Sequence, residues 1–161
     1  MMALRPFVIG AVLLTFLGGC AAPKLPTAPG ADAWNGRLAL SVDSTPPQTY
    51  SAGFDLHGSP EVGELLLATP LGTTLATVSW SPGRAEMTQG QQITRRSSLG
   101  ELSADLGGTV VPVAALFAWL KGEPTEVDGW QADLSRHADG RITARRLKPL
   151  PIAELRLVFE P

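Results

Sequence analysis

From Trp34 the apolar residues fall into strand patterns, mostly of period two, that run to Phe159 and are interrupted across residues 98–120, where the spacing becomes helical; this switch limits the folds open to the chain. Successive side chains of a strand point to opposite faces, so alternation marks a half-buried strand. Trp34, Gly36, Leu38, Leu40 and Val42 share one face, with Asn35, Arg37, Ala39 and Ser41 on the other. Ser44-Thr45-Pro46-Pro47 ends that run. Tyr50, Ala52, Phe54 and Leu56 then alternate up to the expected turn His57-Gly58-Ser59-Pro60, so the two runs suit antiparallel neighbours. Shorter strand patterns follow over 64–68, 74–80, 84–88 and 91–94, divided by turns at Ser81-Pro82-Gly83 and Gln89-Gly90. They resume over 130–134, 142–147 and 155–159, with turns at Asp139-Gly140 and around Pro149-Leu150-Pro151.

Within the block of longer period, Ser98 and Glu101 form a capping box, and Leu99, Leu102 and Leu106 follow at helical spacing until Gly107-Gly108. A second helix opens at Pro112, where a missing amide costs nothing. It presents Val113, Leu116, Phe117 and Leu120 on one face with Trp119 beside it, and ends at Gly122. Two helices set into an all-antiparallel series give an α+β architecture, with the helices on one side of the sheet.

The residues ahead of this domain carry a different signal. Residues 1–19 hold one charge, Arg5, and the apolar segment Phe7 to Phe16, too short to span a hydrocarbon core of roughly 30 Å. They read as a signal peptide. Leu17-Gly18-Gly19-Cys20 resembles the bacterial lipobox, which makes Cys20, the chain's one cysteine, the first mature residue and the site of lipid attachment. That resemblance implies diacylglycerol on the thiol and a fatty acyl group such as palmitate on the new amino terminus; an ordinary secretory peptide is the alternative. By the same resemblance, Ala21 after the cysteine favours the outer membrane. Residues 20–33, rich in Pro and Ala, form a lipidated N-terminus and flexible tether, and 34–161 form one domain.

Removing residues 1–19 from 161 leaves 142, with 12 Lys and Arg against 15 Asp and Glu, a net charge of −3. A chain so balanced has no footprint for nucleic acid. Nor does it offer a nucleophile beside a base, a GxSxG elbow, a phosphate-binding glycine loop or HExxH, so no catalytic residue, cofactor or metal is assigned. His57 and His137 read as surface turn residues. The unusual features are apolar: Leu65-Leu66-Leu67-Ala68 is hydrophobic on both strand faces, and Pro70-Leu71-Gly72 sets a large aliphatic residue between two turn formers. From the residues alone, Leu71 either folds back and packs or projects as an apolar tip.

The ordered set Trp34-Asn35-Gly36-Arg37-Leu38-Ala39-Leu40, Phe54, Leu65 to Gly72, Val111-Pro112-Val113, Trp119-Leu120-Lys121-Gly122-Glu123-Pro124 and Gly129-Trp130, behind a lipobox, resembles the LolB family of outer-membrane lipoprotein receptors in the lipoprotein localisation (Lol) pathway. The chain departs from the family pattern in being short, in a compressed segment after Trp130 and in lacking a tryptophan near its end, features that also fit a LolB-like paralogue. The resemblance implies an incomplete antiparallel barrel, a half-barrel with helices in its concave face, enclosing an apolar cavity. It further implies a monomer that is not an enzyme and that accepts acylated lipoproteins from the periplasmic carrier LolA. Pro70, Leu71 and Gly72 would form a membrane-insertion loop meeting outer-membrane phospholipid. Leu40, Phe54, Leu67, Phe117, Leu120 and Trp130 are candidates to line an acyl-chain cavity, although each could equally fill an ordinary core. The rival expectation is a lipid-anchored structural or accessory protein that uses the half-barrel for protein contacts without lipid cargo, and a third is an unrecognised hydrolase.

Overall fold

Each alternating run becomes a strand because pairing satisfies its backbone while one set of side chains leaves water. The structure, a computed structural model, describes residues 32–105 and 112–161. Its strands are β1 (Asp32–Val42), β2 (Gln48–Gly58), β3 (Gly63–Ala68), β4 (Thr74–Ser81), β5 (Arg84–Gln89), β6 (Gln92–Arg96), β7 (Trp130–Asp133), β8 (Arg141–Arg146) and β9 (Ala153–Phe159). Helices α1 (Leu99–Asp105) and α2 (Val113–Leu120) lie between β6 and β7, and a single 3-10 turn, His137–Asp139, precedes β8. The expected Leu106 and Gly107-Gly108 at the end of the first helix lie outside the described residues, as do Cys20 and most of the tether.

All nine strands join one antiparallel sheet in the order β6-β5-β4-β3-β2-β1-β9-β8-β7. Its first six strands are a meander, as the spacing of the turns implied. The last strand, β9, returns to pair with the first. The sheet stays open, with β6 and β7 as its edges, which gives the expected half-barrel with helices against one face.

The register sets apolar residues in rows across the inner face. Trp34 stands opposite Leu56, Leu56 opposite Leu65, Leu65 opposite Val78 and Val78 opposite Met87. A second row runs Leu40, Leu155 and Ala144. Gly36 lets β1 and β9 approach closely: a Cβ there would lie 2.1 Å from the Val158 carbonyl oxygen and 3.1 Å from the Phe54 ring.

Against this face lies α2, in which Val113, Ala115, Leu116, Phe117, Trp119 and Leu120 are all buried. The sequence pattern gave it one apolar face, but burial reaches nearly all round, with Val127 of the following segment also packed against the core cluster. Phe117 meets Trp34 and Trp80 edge-on, with centroids 5.7 and 6.1 Å apart, and so links β1 to β4. The Trp119 indole donates to the Thr125 carbonyl at 2.8 Å. At its end Gly122, at φ +81°, supports a Schellman motif: its amide donates to the Trp119 carbonyl and the Glu123 amide to the Ala118 carbonyl.

Helix α1 has the expected capping box with a small shift. The Glu101 amide donates to Ser98 Oγ at 3.2 Å, while the Glu101 carboxylate accepts from the Ser97 amide, one residue earlier than the motif requires. This helix lies against β5 and β6 and buries Leu102.

The histidine expectations hold in part: His57 is exposed but not in a turn, and His137 begins a 3-10 turn but is not fully exposed. His57 lies within β2, opposite Ala33 and Glu64, because the strand alternation continues two residues past Leu56. His137 is half-buried, with Nε2 2.9 Å from the Leu120 carbonyl oxygen and its ring 5.3 Å from that of Phe159. It clamps the last turn of α2.

Candidate functional site

The segment Thr69–Thr73 joins β3 to β4 by a tight hairpin. The Gly72 amide donates to the Thr69 carbonyl at 2.9 Å, the Thr69 amide to the Thr73 carbonyl at 2.8 Å, and the Thr73 amide to Thr69 Oγ1 at 3.1 Å. Proline supplies the fixed φ of the first central position and Gly72, the residue that closes the turn, takes the left-handed φ of +85°, so the Pro-Leu-Gly order suits this turn. Leu71 is left at the apex and is 94% exposed. A register shift at Leu67/Ala68 lies directly below, and Leu75, 41% exposed, adds a second apolar side chain beside the tip.

From the hairpin, the inner face continues as a strip that the helices cover incompletely. Leu38, Leu40, Leu67, Val78 and Met87 pack against the core yet are half-buried. Ala52 and Ala76 fill the rows between them with small side chains.

The six expected cavity residues all belong to this inner cluster, which divides in two. Phe54, Phe117, Leu120 and Trp130 retain 4% exposure or less and are packed as core, whereas Leu40 and Leu67 lie along the half-buried strip. Hollows indent the described surface, among them one on each side of the β1–β9 pair. One, of about 630 Å³, lies on the outer side of β7 and β8 against Gln131, Asp133, Thr143, Arg145 and Lys148. The other, of about 370 Å³, lies outside β1 and β2 over Gly53, between Arg37 and Asp55, and Phe54 is the one member of the six that borders either.

Charge is kept away from the strip. On the outer face, Glu86 binds Arg84 and Arg95 at 2.8 and 2.7 Å, and Glu154 binds Arg145 and Arg156 at 2.7 and 2.6 Å. Hydrogen bonds from Arg84 and Arg95 hold the Glu86 carboxyl below the ordinary glutamate range, and that from Arg145 does the same for Glu154. Lys121 Nζ meets Asp32 Oδ2 at 2.6 Å, tying the end of α2 to the start of β1; this hydrogen bond raises the lysine pKa. Among the described residues no three His, Cys, Asp or Glu side chains gather as metal ligands.

Sequence reasoning missed two features. Arg146 is 3% exposed on the inner face, its guanidinium carbon 5.5 Å from the centre of the Trp130 ring and Nη2 donating to the Pro151 carbonyl at 3.2 Å; burial lowers its pKa. The phase of Ile142, Ala144 and Arg146 was the available signal. The β8–β9 turn was recognised as a turn only, but Leu147, Leu150 and Ile152 project from it at 62%, 77% and 41% exposure.

Comparison with known proteins adds a family to this geometry. The profile of the family described as "Outer membrane lipoprotein LolB" matches residues 32–149. Similar proteins named outer-membrane lipoprotein LolB include that of Bordetella petrii, 31% identical over 88% of this chain and 85% of its own length. Those of Bordetella pertussis and Thiobacillus denitrificans are 32% and 30% identical, over 78% and 86% of this chain and 76% of each relative.

Proposed function

The chain belongs to the LolB family of outer-membrane lipoproteins, and on that premise we propose that it is a receptor of the Lol pathway, accepting acylated lipoproteins from the carrier LolA and inserting them into the outer membrane. The observation that carries this reading is Leu71, 94% exposed on a short, hydrogen-bonded hairpin beside a half-buried apolar strip. A large aliphatic side chain held in water by a defined turn is suited to a bilayer, where its burial is favourable by about 1.5–3 kcal/mol. The strip gives fatty tails a non-directional surface, fitting cargo whose members share acyl chains. Widening the space between α2 and Leu38, Leu40 and Leu67 would form the acyl-chain cavity, with Phe54, Phe117, Leu120 and Trp130 as its inner wall.

The energetics set the order of events. Each methylene brought out of water is worth about 0.8 kcal/mol, so three long chains amount to tens of kcal/mol and must pass between apolar hosts without entering water. Transfer then runs downhill from carrier to receptor to bilayer, the last step assisted by the Leu71 tip. Residues 1–19 act as the lipoprotein signal peptide, and residues 20–31, which end where β1 begins at Asp32, as the anchored tether that keeps the domain beside its target.

The test is transfer in vitro. LolA loaded with an acylated lipoprotein is mixed with the mature chain and vesicles, and the cargo is followed by co-purification and flotation. The parent should take cargo from LolA and pass it to vesicles, whereas Leu71→Glu should take cargo and retain it. Cargo that stays on LolA would favour the accessory role. Delivery by Leu71→Glu at the parental rate would remove the insertion role of the hairpin.

A further inference from the structure

The direction of the strands places four turns at one end of the sheet: 43–47 between β1 and β2, 69–73 between β3 and β4, 90–91 between β5 and β6, and 147–152 between β8 and β9. The first and last of these touch, the Asp43 amide donating to the Ile152 carbonyl at 2.8 Å. In these four turns there is one acid, Asp43, and one base, Lys148, with Asp128 close by at Gly129 and Glu126 lining the same hollow as Leu147 and Lys148. The opposite end gathers Asp32, Glu61, Arg84, Lys121, Arg136 and Asp139.

We propose that Leu147, Leu150 and Ile152 of the β8–β9 turn form a second apolar contact with the same bilayer that Leu71 meets, so that the domain stands on the membrane at two points. The inference rests on the reading of Leu71 above. Three of the six residues in this turn are large, aliphatic and exposed, and β3 and β8 are four strand spacings apart, about 19 Å along the sheet. Two contacts at that separation fix the orientation of the half-barrel, which one leucine cannot do. The near-neutral turns match a zwitterionic lipid surface better than an acidic partner, because few charges lose hydration on contact.

The length of the tether is compatible with this stance. Twelve residues from Cys20 to Ala31 reach at most about 40 Å. Strand β1, which starts at the charged end, is 11 residues or about 34 Å long. An anchor at Cys20 can therefore lie in the bilayer that the far end touches.

The experiment uses the full lipidated chain in phosphatidylcholine and phosphatidylethanolamine vesicles. A polarity-sensitive fluorophore is attached through Leu71→Cys, Leu150→Cys or, at the charged end, Ser81→Cys; acylation of Cys20 leaves each variant one free thiol. Lipids carrying a nitroxide on the acyl chain should quench the probe at 71 and at 150, with a blue shift in emission, and leave the probe at 81 unchanged at low and high salt. Quenching at 71 without quenching at 150 overturns the second contact and leaves the insertion tip standing. Quenching at all three sites overturns the end-on stance, and no quenching at 71, whatever 150 does, removes the reading on which the inference rests.

Discussion

Leu71 and Gly36 are opposite cases of one rule, that a side chain matters through what surrounds it. Leu71 touches little, so Leu71→Glu should shift unfolding stability by no more than about 0.5 kcal/mol while blocking delivery. Urea denaturation beside the transfer assay separates the two effects. Gly36 has no room, because an added Cβ would meet backbone of β9 that is fixed by its own pairing. Gly36→Ala is expected to cost about 1–3 kcal/mol or more, seen as a lower urea midpoint. An unchanged midpoint would mean that β9 can move away from β1 at little cost.

At the level of elements, α2 is held by aromatic packing at its middle and polar contacts at its end. Phe117 bridges β1 and β4, so Phe117→Ala should lose about 3–5 kcal/mol, the range for a large aromatic removed from a filled core. A much smaller loss would indicate that the helix is already loosely seated. The outer-face carboxylates of β5 and β9 give a different test. Their pKa values are lowered in the folded state, so the stability they contribute is present above the ordinary glutamate value and is lost as pH falls through the depressed one. Solvent screening keeps that contribution small. Carboxyl carbon NMR should place the midpoints of Glu86 and Glu154 below that of an isolated glutamate, with Arg95→Ala moving Glu86 upward.

For the whole molecule, the proposed stance requires anchor, tether and apolar end to meet one bilayer. Deleting residues 23–28 cuts the reach to about 20 Å, shorter than the roughly 34 Å length of β1. The shortened chain is expected to remain attached and to accept cargo, yet to deliver poorly. Full delivery would show that the domain approaches its bilayer from another side. Cys20→Ala should be missing from the outer-membrane fraction after cell fractionation.

The sequence by itself determined the strands, the two helices and the turn that carries Leu71, because periodicity, caps and Pro-Gly geometry are local properties. It also placed the chain in its family through residues such as Trp34, Gly36, Trp119 and Trp130. Only the tertiary structure paired β9 with β1, buried α2 on nearly every side, turned His137 into a helix clamp and brought the 147–152 turn to the end of the sheet occupied by Leu71. Those outcomes depend on contacts between segments far apart in the chain, where strand direction and register, rather than local pattern, decide which side chains stay in water.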